Sequence, residues 1–442
     1  MKLKPILNRI WAVLKNELQF LKTNIIQNRL YWPLFYIMIL SVIGLIAIGD
    51  YSQYNIIYFF KVFYKEFPLD LRLVYNQLNT LGKSLILLYV VYRFGRQLLE
   101  KWSSALFHLG LVLLIIPFFQ YDSITLGSRY IRLPYQYENI EVTGFCLVIM
   151  LPYMVQQLVR IIHPIKQWRR GLQFVFAWFI VSLLLAQQIH YPMLILWNLI
   201  LFILIFIFWK NRFYWKTILL VTVFGLMIWF VNYMPCMSFV PNYKYELWRS
   251  EEAELFRDFR TSEDMVELLQ NRFNAFRFGD VPDSTHYHPF FDHYTAVSLD
   301  EIKQSGAWGK GLGTFKEPRI WYGQVEHFIL SKYIVFITFK QFGVLGFLLV
   351  LCLYALLFIF LIRNRSEQDE AQLVQWSMIL FLLIQASIQI ARTLNLAPLL
   401  PSYPMPFYGY GFKAMCPAFI ALGWLLGLYT NSTEDNSNEN KT

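Results

Sequence analysis

Charged side chains are scarce in this sequence. Only 15% of the 442 residues are Asp, Glu, Lys or Arg, whereas 57% are hydrophobic and 19% are aromatic. Soluble domains carry roughly a quarter charged residues, and a water-soluble fold of this composition would be unable to cover its own surface. The scarcity therefore excludes an ordinary soluble domain and predicts an integral membrane protein.

Cysteines and targeting signals are also few. The cysteines are Cys146, Cys236, Cys352 and Cys416. None of them lies well inside the long polar segment of the chain, so the sequence predicts no disulfide framework there. The N-terminus has no short apolar stretch followed by a small-residue cleavage site, so no cleavable signal peptide is predicted.

Acidic residues are outnumbered by basic ones, which gives a net charge of +10. A positive charge of this size can indicate nucleic-acid binding. Here, however, the basic residues cluster in short loops between apolar runs, which is the distribution that orients a polytopic protein in a membrane. We therefore expect the membrane, and no nucleic acid, as a partner.

Long apolar runs are abundant. About ten of them approach the length needed to cross the roughly 30 Å hydrocarbon core of a bilayer. They lie near residues 31–49, 82–99, 103–120, 141–162, 172–189, 191–208, 217–237, 338–362, 373–393 and 409–429. Residues 1–30 alternate apolar and basic side chains, the pattern of an amphipathic helix on the inner leaflet. The predicted fold class is an all-α polytopic membrane protein.

Basic residues between the runs orient the chain. They follow the second, fourth, sixth and eighth runs: Arg93, Arg96, Lys101, Arg160, Lys166, Arg169, Arg170, Lys210, Arg212, Lys216, Arg363 and Arg365. The positive-inside rule then places these clusters and both termini in the cytoplasm. Residues 31–238 would hold spans one to seven, 239–327 a large extracytoplasmic loop, and 328–429 spans eight to ten. The polar residues 430–442 are predicted to form a disordered cytoplasmic tail.

Four charged residues flank the start of the fourth span on its outer side. They are Arg129, Arg132, Glu138 and Glu141. Charges near membrane depth are costly unless they are paired or face a wet cavity. These residues therefore indicate either a polar site for an anionic substrate or an interfacial salt bridge.

A glycine-rich stretch lies near the end of the large loop. It runs from Ser305-Gly306 through Trp308-Gly309-Lys310-Gly311-Leu312-Gly313. Closely spaced glycines let backbone amides approach a ligand, and Lys310 adds a positive charge that suits phosphate. The spacing is not that of a Walker A loop. The alternative is a flexible turn without a ligand.

A histidine-rich patch occupies the middle of the same loop. It consists of His286, His288, Asp292 and His293, residue types that suit a divalent metal. The alternative is an exposed loop with no ligand, and we assign no metal ligands from the sequence.

The last span is preceded by Pro404-Met405-Pro406-Phe407-Tyr408-Gly409-Tyr410-Gly411. Proline removes a backbone donor and glycine allows unusual torsions. Irregular backbone at membrane depth must be buried in protein or line a cavity. We therefore predict a re-entrant segment over residues 398–411 that lies against a substrate groove.

Three of these stretches together resemble the SEDS family (shape, elongation, division and sporulation), which includes RodA and FtsW. The stretch from Pro404 to Lys413 is similar to the family's P-L-P-F-I-S-Y-G-G-S. The stretch from Tyr294 to Gly313 resembles a Tyr followed, further on, by G-G-x-F-G-x-G-L-G. Gly127-Ser128-Arg129-Tyr130-Ile131 with Glu141 resembles G-x-x-R-W-I followed by P-S-E, with a gap of one residue.

The resemblance implies both a fold and a function. The family has ten transmembrane helices, with a large loop between spans seven and eight. Its members act in cell shape or cell division on lipid II, an undecaprenyl-diphosphate-linked disaccharide-pentapeptide. The implied activity is a peptidoglycan glycosyltransferase of the bacterial inner membrane, with a class B penicillin-binding protein as partner and a divalent cation as an optional cofactor. The implied substrate-binding residues are Arg129, Glu141, Lys310, Pro404, Pro406 and Tyr410.

The expected catalytic position departs from the family. SEDS polymerases carry E-x-H-T-D-F before span eight, and its Asp is taken as catalytic. Aligned from Gly343, this chain has Lys332 at that Asp; aligned from Gly313, it has Phe328. The nearest carboxylate is Glu326, the one replacement base that the sequence offers. Two alternatives to polymerisation are therefore a catalytically silent SEDS-like scaffold for a penicillin-binding protein and a transporter of lipid-linked precursors.

Overall fold

The computed structural model is almost wholly helical over the residues it describes. These are residues 15–17, 19, 31–63, 72–119, 130–132, 139–162, 168–187, 191–208, 304–311, 334–364, 369–394, 396 and 403–439. The helices are α1 (Tyr31–Phe63), α2 (Arg72–Gln97), α3 (Ser103–Phe119), α4 (Thr143–Ile162), α5 (Trp168–Gln187), α6 (Tyr191–Phe208), α7 (Ile334–Arg363), α8 (Asp369–Thr393) and α9 (Phe412–Glu439). The predicted helical class is confirmed for these residues, and the number of spans stays a prediction.

One short hairpin interrupts the helical architecture, and the sequence analysis did not predict it. Strands β1 (Tyr130–Arg132) and β2 (Asn139–Glu141) are antiparallel, with Tyr130 opposite Glu141. Strand β2 ends just before α4 and packs against α9. Beyond it, Gly144 lies against Pro417. The hairpin therefore brings the backbone of Glu141 to the region where α9 begins.

Six helical stretches of the described residues are long and apolar enough to cross a membrane. They are Tyr31–Ile48, Val74–Pro117, Thr143–Arg160, Ile334–Arg363, Glu370–Ala391 and Phe412–Tyr429. Two shorter apolar helices cover Gln173–Leu185 and Pro192–Phe206. The predicted seventh span, 217–237, lies outside the described residues.

The predicted loop between the second and third spans is instead a π-helical turn, Leu98–Trp102, that joins α2 directly to α3. No glycine or proline interrupts this stretch, and Arg96 pairs with Glu100 one helical turn later at 2.9 Å. A π turn widens the helix, and the Gln156 side chain of α4 donates a hydrogen bond to the carbonyl of Leu99 at 2.8 Å. The backbone groups of the turn thus find partners without a loop.

The two arms joined by this turn pack on different helices. Along α2, Gln77 contacts Gly411 and Gly95 contacts Gly427, so α2 runs parallel to α9. Along α3, Gly110 contacts Met150, and α3 runs antiparallel to α4. Because α4 and α9 begin side by side, the start of α2 and the end of α3 lie on the same side of the protein. The chain therefore reverses its direction at the π-helical turn. A straight helix of 44 residues would be about 66 Å long, twice the hydrocarbon thickness.

Helix α9 packs closely against the backbone of α2 at two glycines, Gly423 and Gly427. A Cβ atom on Gly427 would lie 2.7 Å from the carbonyl oxygen of Tyr92, and one on Gly423 would lie 2.9 Å from that of Leu88. Two glycines four residues apart form the small-residue face that lets transmembrane helices pack backbone against backbone. The pair fixes the distance between α2 and α9.

Gly427→Ala is therefore expected to destabilise the protein by about 1–3 kcal/mol, because the new methyl group meets backbone that cannot turn aside. Gly82→Ala on α2 is the matched control, since no atom lies within 4 Å of a Cβ there. Thermal unfolding midpoints in one detergent provide the comparison. Equal midpoints for the two variants would show that the close packing does not stabilise the fold.

The two ends of the chain modify the sequence-based predictions. Of the predicted amphipathic segment 1–30, the described residues are helical, and Glu17 accepts hydrogen bonds from Tyr89 at 2.6 Å and Arg93 at 3.3 Å. The hydrogen bond from Tyr89 and the nearby positive charge of Arg93 lower the pKa of Glu17.

At the other end of the chain, α9 continues to Glu439, where composition predicted disorder. No glycine or proline after Gly427 ends the helix.

The orientation of the chain in the membrane is a prediction from its basic clusters. In a background with Cys236 and Cys352 replaced by serine, we expect Ser284→Cys to react with an impermeant thiol reagent applied to intact cells. Ser437→Cys is expected to react only after the cells are permeabilised. The reverse pattern would overturn the predicted topology.

Candidate functional site

Helix α7 is broken at Gly343, whose φ of 65° and ψ of −163° are far from helical values. In an unbroken helix, the amides of Val344 and Leu345 would donate to the carbonyls of residues 340 and 341. Here they donate instead to the carbonyls of Gly306 and Ala307, each at 3.1 Å. The break therefore frees two carbonyls of α7 and diverts two of its amides to the glycine-rich loop, residues 304–311.

The glycine-rich loop returns the missing bonds. The amide of Lys310 donates to the carbonyl of Lys340 at 2.8 Å, and the amide of Gly311 donates to that of Gln341 at 3.1 Å. Four backbone hydrogen bonds thus replace the two that the break removes. The loop completes the hydrogen bonding of a broken span, which is the condition for irregular backbone at membrane depth.

Two glycines make this contact sterically possible. A Cβ atom on Gly309 would lie 2.4 Å from the carbonyl oxygen of Gln341, and one on Gly343 would lie 2.3 Å from the amide nitrogen of Gly309. Each glycine thus faces the backbone of the other segment. Both also have positive φ, 77° at Gly309 and 65° at Gly343, a conformation that glycine adopts without steric cost.

The break also separates a protein-buried part of α7 from a lipid-facing part. Every residue from Ile334 to Gln341 is buried, whereas Val344, Leu345 and Leu348 are 40%, 45% and 51% exposed. The stretch from Val344 to Arg363 alone is roughly 30 Å long, enough to cross the hydrocarbon core. The break and the glycine-rich loop therefore lie near one boundary of the bilayer.

The Pro-rich segment, residues 403–411, packs against the same helix. Tyr403, Met405, Phe407 and Tyr408 are completely buried. The hydroxyl of Tyr408 shares a hydrogen bond with Thr338 before the break, and Tyr354 after the break donates to the carbonyl of Pro406. The segment is thus joined to α7 on both sides of Gly343.

Helices α1 and α8 hold the segment from other sides. Ser41 of α1 donates to the carbonyl of Phe407 at 3.1 Å, and the side chain of Gln389 in α8 accepts from the amide of Tyr403 at the same distance. Phe407 has a φ of 59°, the one positive value among the described residues other than glycine. A left-handed aromatic residue costs roughly 1–2 kcal/mol, so the surrounding bonds must impose this shape.

Gln77 of α2 clamps the end of the Pro-rich segment. Its side-chain nitrogen donates to the carbonyl of Gly409 at 3.1 Å, and its side-chain oxygen accepts from the amide of Gly411 at 2.8 Å. One buried amide side chain thereby satisfies two backbone groups just before α9 starts. This clamp was not predicted, because Gln77 precedes the predicted span 82–99 and so was not recognised as a polar residue within a membrane helix.

Gln77→Leu is expected to destabilise the protein by about 2–4 kcal/mol, because each buried backbone group that loses its partner costs about 1–3 kcal/mol. Ser84→Ala on the same helix is the control, since Ser84 donates to the carbonyl of Thr80 one turn away, within its own helix. Unfolding midpoints and proteolysis near residue 403 would measure the effect. If both variants melt like the parent, the clamp makes no net contribution.

Four of the implied substrate-binding residues lie in two segments that each bond to α7. Lys310 lies in the glycine-rich loop; Pro404, Pro406 and Tyr410 lie in the Pro-rich segment, all three buried. The backbone of Glu141 lies in β2, next to the start of α9. Arg129, Glu326, Lys332 and the patch from His286 to His293 lie outside the described residues, so their roles stay predictions.

One charged residue was missed by the sequence analysis. Lys340 is 2% exposed and is the one charged side chain among the described residues that is buried. It lies three residues before Gly343, and its carbonyl accepts the bond from Lys310. A lysine inside an apolar run is itself a signal of function, and it could have been recognised there.

A divalent cation would need a cluster of carboxylate or imidazole ligands. Within the described parts of the chain, no three His, Cys, Asp or Glu residues come together in this way.

Comparison with known proteins agrees with this arrangement. Residues 277–434, which include the glycine-rich loop, α7 and the Pro-rich segment, match the FTSW_RODA_SPOVE family, described as cell cycle protein. Over these residues, about a third of the chain, the protein thus resembles the SEDS family. Over 160 residues it is 25% identical to the probable peptidoglycan glycosyltransferase FtsW of Enterococcus hirae, an alignment that covers 35% of this chain and 39% of that protein. The helices that are long and apolar enough to cross a membrane, together with this resemblance, support a multi-pass membrane protein of the bacterial inner membrane.

Solved structures share the fold over nearly the whole chain. A chain of a peptidoglycan synthase complex that coordinates polymerization and crosslinking superposes with a TM-score of 0.61 at 16% identity, covering 92% of this chain and 98% of that one. The rod shape determining protein RodA of Thermus thermophilus gives a TM-score of 0.53 at 14% identity, covering 90% and 96%. At these identities, the likeness shows the SEDS fold alone.

Proposed function

We propose that this protein binds lipid II and acts as a peptidoglycan glycosyltransferase at the extracytoplasmic face. The observation that carries the proposal is the convergence of two motif-bearing segments on one break in α7. The glycine-rich loop bonds to the break itself, and the Pro-rich segment bonds to α7 on both sides of it. Segments far apart in sequence are thereby held rigidly together, as a preorganised site requires.

The proposed reaction needs a base and a positively charged environment. The base takes the proton from a sugar 4-hydroxyl of one lipid II molecule, and the resulting oxygen attacks the anomeric carbon of the growing strand. The bond from that carbon to the lipid diphosphate breaks, and the diphosphate leaves with the electron pair. Lys310 and Arg129 would stabilise its negative charge, with Glu141 and the Pro-rich segment shaping the site.

A second candidate function is a silent scaffold for a class B penicillin-binding protein. The observation in its favour is the lack of a carboxylate at the family's catalytic position, where the two alignment registers give Lys332 or Phe328. A scaffold would keep the packed site and bind lipid II or its partner without forming a glycosidic bond. A third candidate, transport of the lipid-linked precursor, would move lipid II between leaflets.

Purified protein in liposomes with labelled lipid II distinguishes the three. Polymerisation predicts glycan strands, and the assay is run with Mg²⁺ and again with EDTA to test for a cation. Scaffolding predicts binding of lipid II or of a penicillin-binding protein with no strands. Transport predicts movement of label to the opposite leaflet. Absence of all three outcomes would contradict the proposed link to lipid II.

A further inference from the structure

Trp308 is the most exposed large hydrophobic side chain among the described residues, at 80%. It lies in the glycine-rich loop, whose position is fixed by the four backbone bonds to α7. The indole of Trp308 is therefore exposed even though the loop that carries it is firmly bonded to α7. A tryptophan held rigidly in solvent indicates a contact surface outside the chain itself.

The position of the loop indicates what that surface meets. The carbonyl of Ala307, the residue before Trp308, accepts from the amide of Leu345, which is 45% exposed on the lipid-facing part of α7. The backbone next to Trp308 is thus bonded to α7 at the point where its lipid-facing part begins. Tryptophan is enriched at this depth, where its ring is apolar and its N–H can meet water or headgroups.

The charge of the loop fits the same contact. Among residues 304–311 the one ionisable side chain is Lys310, and no carboxylate is present. Its Nζ donates to Gln304 at 3.3 Å, which places the positive charge over the loop that carries Trp308. A positive charge in the same short loop as a tryptophan suits the phosphate groups of lipid headgroups.

We propose that Trp308 anchors the glycine-rich loop in the headgroup layer of the bilayer and so holds the broken end of α7 at the membrane surface. The occupant of this surface is the lipid itself, because the loop is bonded directly to the exposed, apolar residues with which the lipid-facing part of α7 begins. The proposal does not depend on the activity of the protein.

Spin labelling in vesicles of phosphatidylethanolamine and phosphatidylglycerol tests it. Trp308→Cys is labelled in a background with Cys236 and Cys352 replaced by serine; Cys146 and Cys416 are buried and remain. Leu348→Cys is the hydrocarbon control and the exposed Lys101→Cys is the polar control. The ratio of oxygen to nickel-chelate collisions reports depth. We expect the label at 308 to lose nickel accessibility on reconstitution and to fall between the two controls.

Two results would overturn the proposal. One is a label at 308 that is as accessible to nickel in vesicles as the label at 101, which would place Trp308 in water. The other is protection that arises only after a penicillin-binding protein is added, which would make Trp308 a protein-docking residue. Because Trp308 is exposed, its replacement is not expected to affect folding, and matched unfolding midpoints for labelled and parent protein would verify this.

Discussion

Gly343→Ala is expected to detach the glycine-rich loop from α7. The φ and ψ of Gly343, 65° and −163°, lie in a region that is essentially restricted to glycine. An alanine Cβ would also lie 2.3 Å from the amide nitrogen of Gly309 and 2.4 Å from the carbonyl oxygen of Ala307. Both obstacles are backbone atoms, so relief requires that the loop or the helix move.

The size of the effect follows from the bonds that would be lost. Four backbone hydrogen bonds join the loop to the break, and each contributes about 0.5–1.5 kcal/mol net. Part of the lost hydrogen-bond free energy would be regained if α7 became a regular helix in the variant, because two bonds within the helix would be restored. We therefore expect α7 to straighten and the loop to be released, rather than the whole protein to unfold.

Limited proteolysis near Lys310 and hydrogen exchange at Val344 and Leu345 measure the release. Gly306→Ala is the matched control, because Gly306 has a φ of 64° but no atom lies within 4 Å of a Cβ there. The control also replaces a glycine of positive φ and omits the collision. If both variants are cleaved equally, strain alone explains the change; if neither is cleaved, the loop is held by contacts other than these.

Much of the helical framework follows from composition alone. Apolar runs of membrane length identified the regions of all nine described helices, because a chain in lipid must satisfy its backbone internally. The exact bounds did not follow: α2 begins at Arg72 rather than near 82, and the segment between α2 and α3 is helical. Short basic stretches look like loops in a sequence, but the pairing of Arg96 with Glu100 favours a helical turn as well.

The candidate site was recognised in part. Lys310 and the Pro-rich segment were predicted, but the reciprocal bonding between Gly306–Gly311 and the break depends on a distant part of the chain. Whether the segment Pro404–Gly411 lines a groove, as predicted, likewise depends on distant parts of the chain. The segment is buried among α1, α2, α7 and α8, and irregular backbone in a membrane can be satisfied by burial as well as by a cavity. Sequence does not distinguish those two solutions.

Glu326 is the candidate base, and its replacement is expected to have a large effect on any polymerase activity. If the protein polymerises lipid II, Glu326→Gln is expected to abolish activity, because an amide has no basic oxygen to take the proton from the sugar hydroxyl. General-base catalysis contributes roughly 10²–10⁴-fold, so the loss is expected in that range. Binding of lipid II should be unchanged, which separates loss of the base from loss of the substrate.

Lys332→Asp tests the opposite case. A protonated lysine neither removes a proton nor binds a cation, and it becomes a base near neutral pH only if burial lowers its pKa by several units. If the parent protein is inactive because the family carboxylate is absent, Lys332→Asp should create strand formation where there was none. Activity in the parent that survives Glu326→Gln would instead show that Glu326 is not the base. The silent-scaffold function requires a third pattern. The parent protein forms no glycan strands but still binds lipid II or the penicillin-binding protein. Its unfolding midpoint also matches that of an active relative, because the Pro-rich segment stays packed.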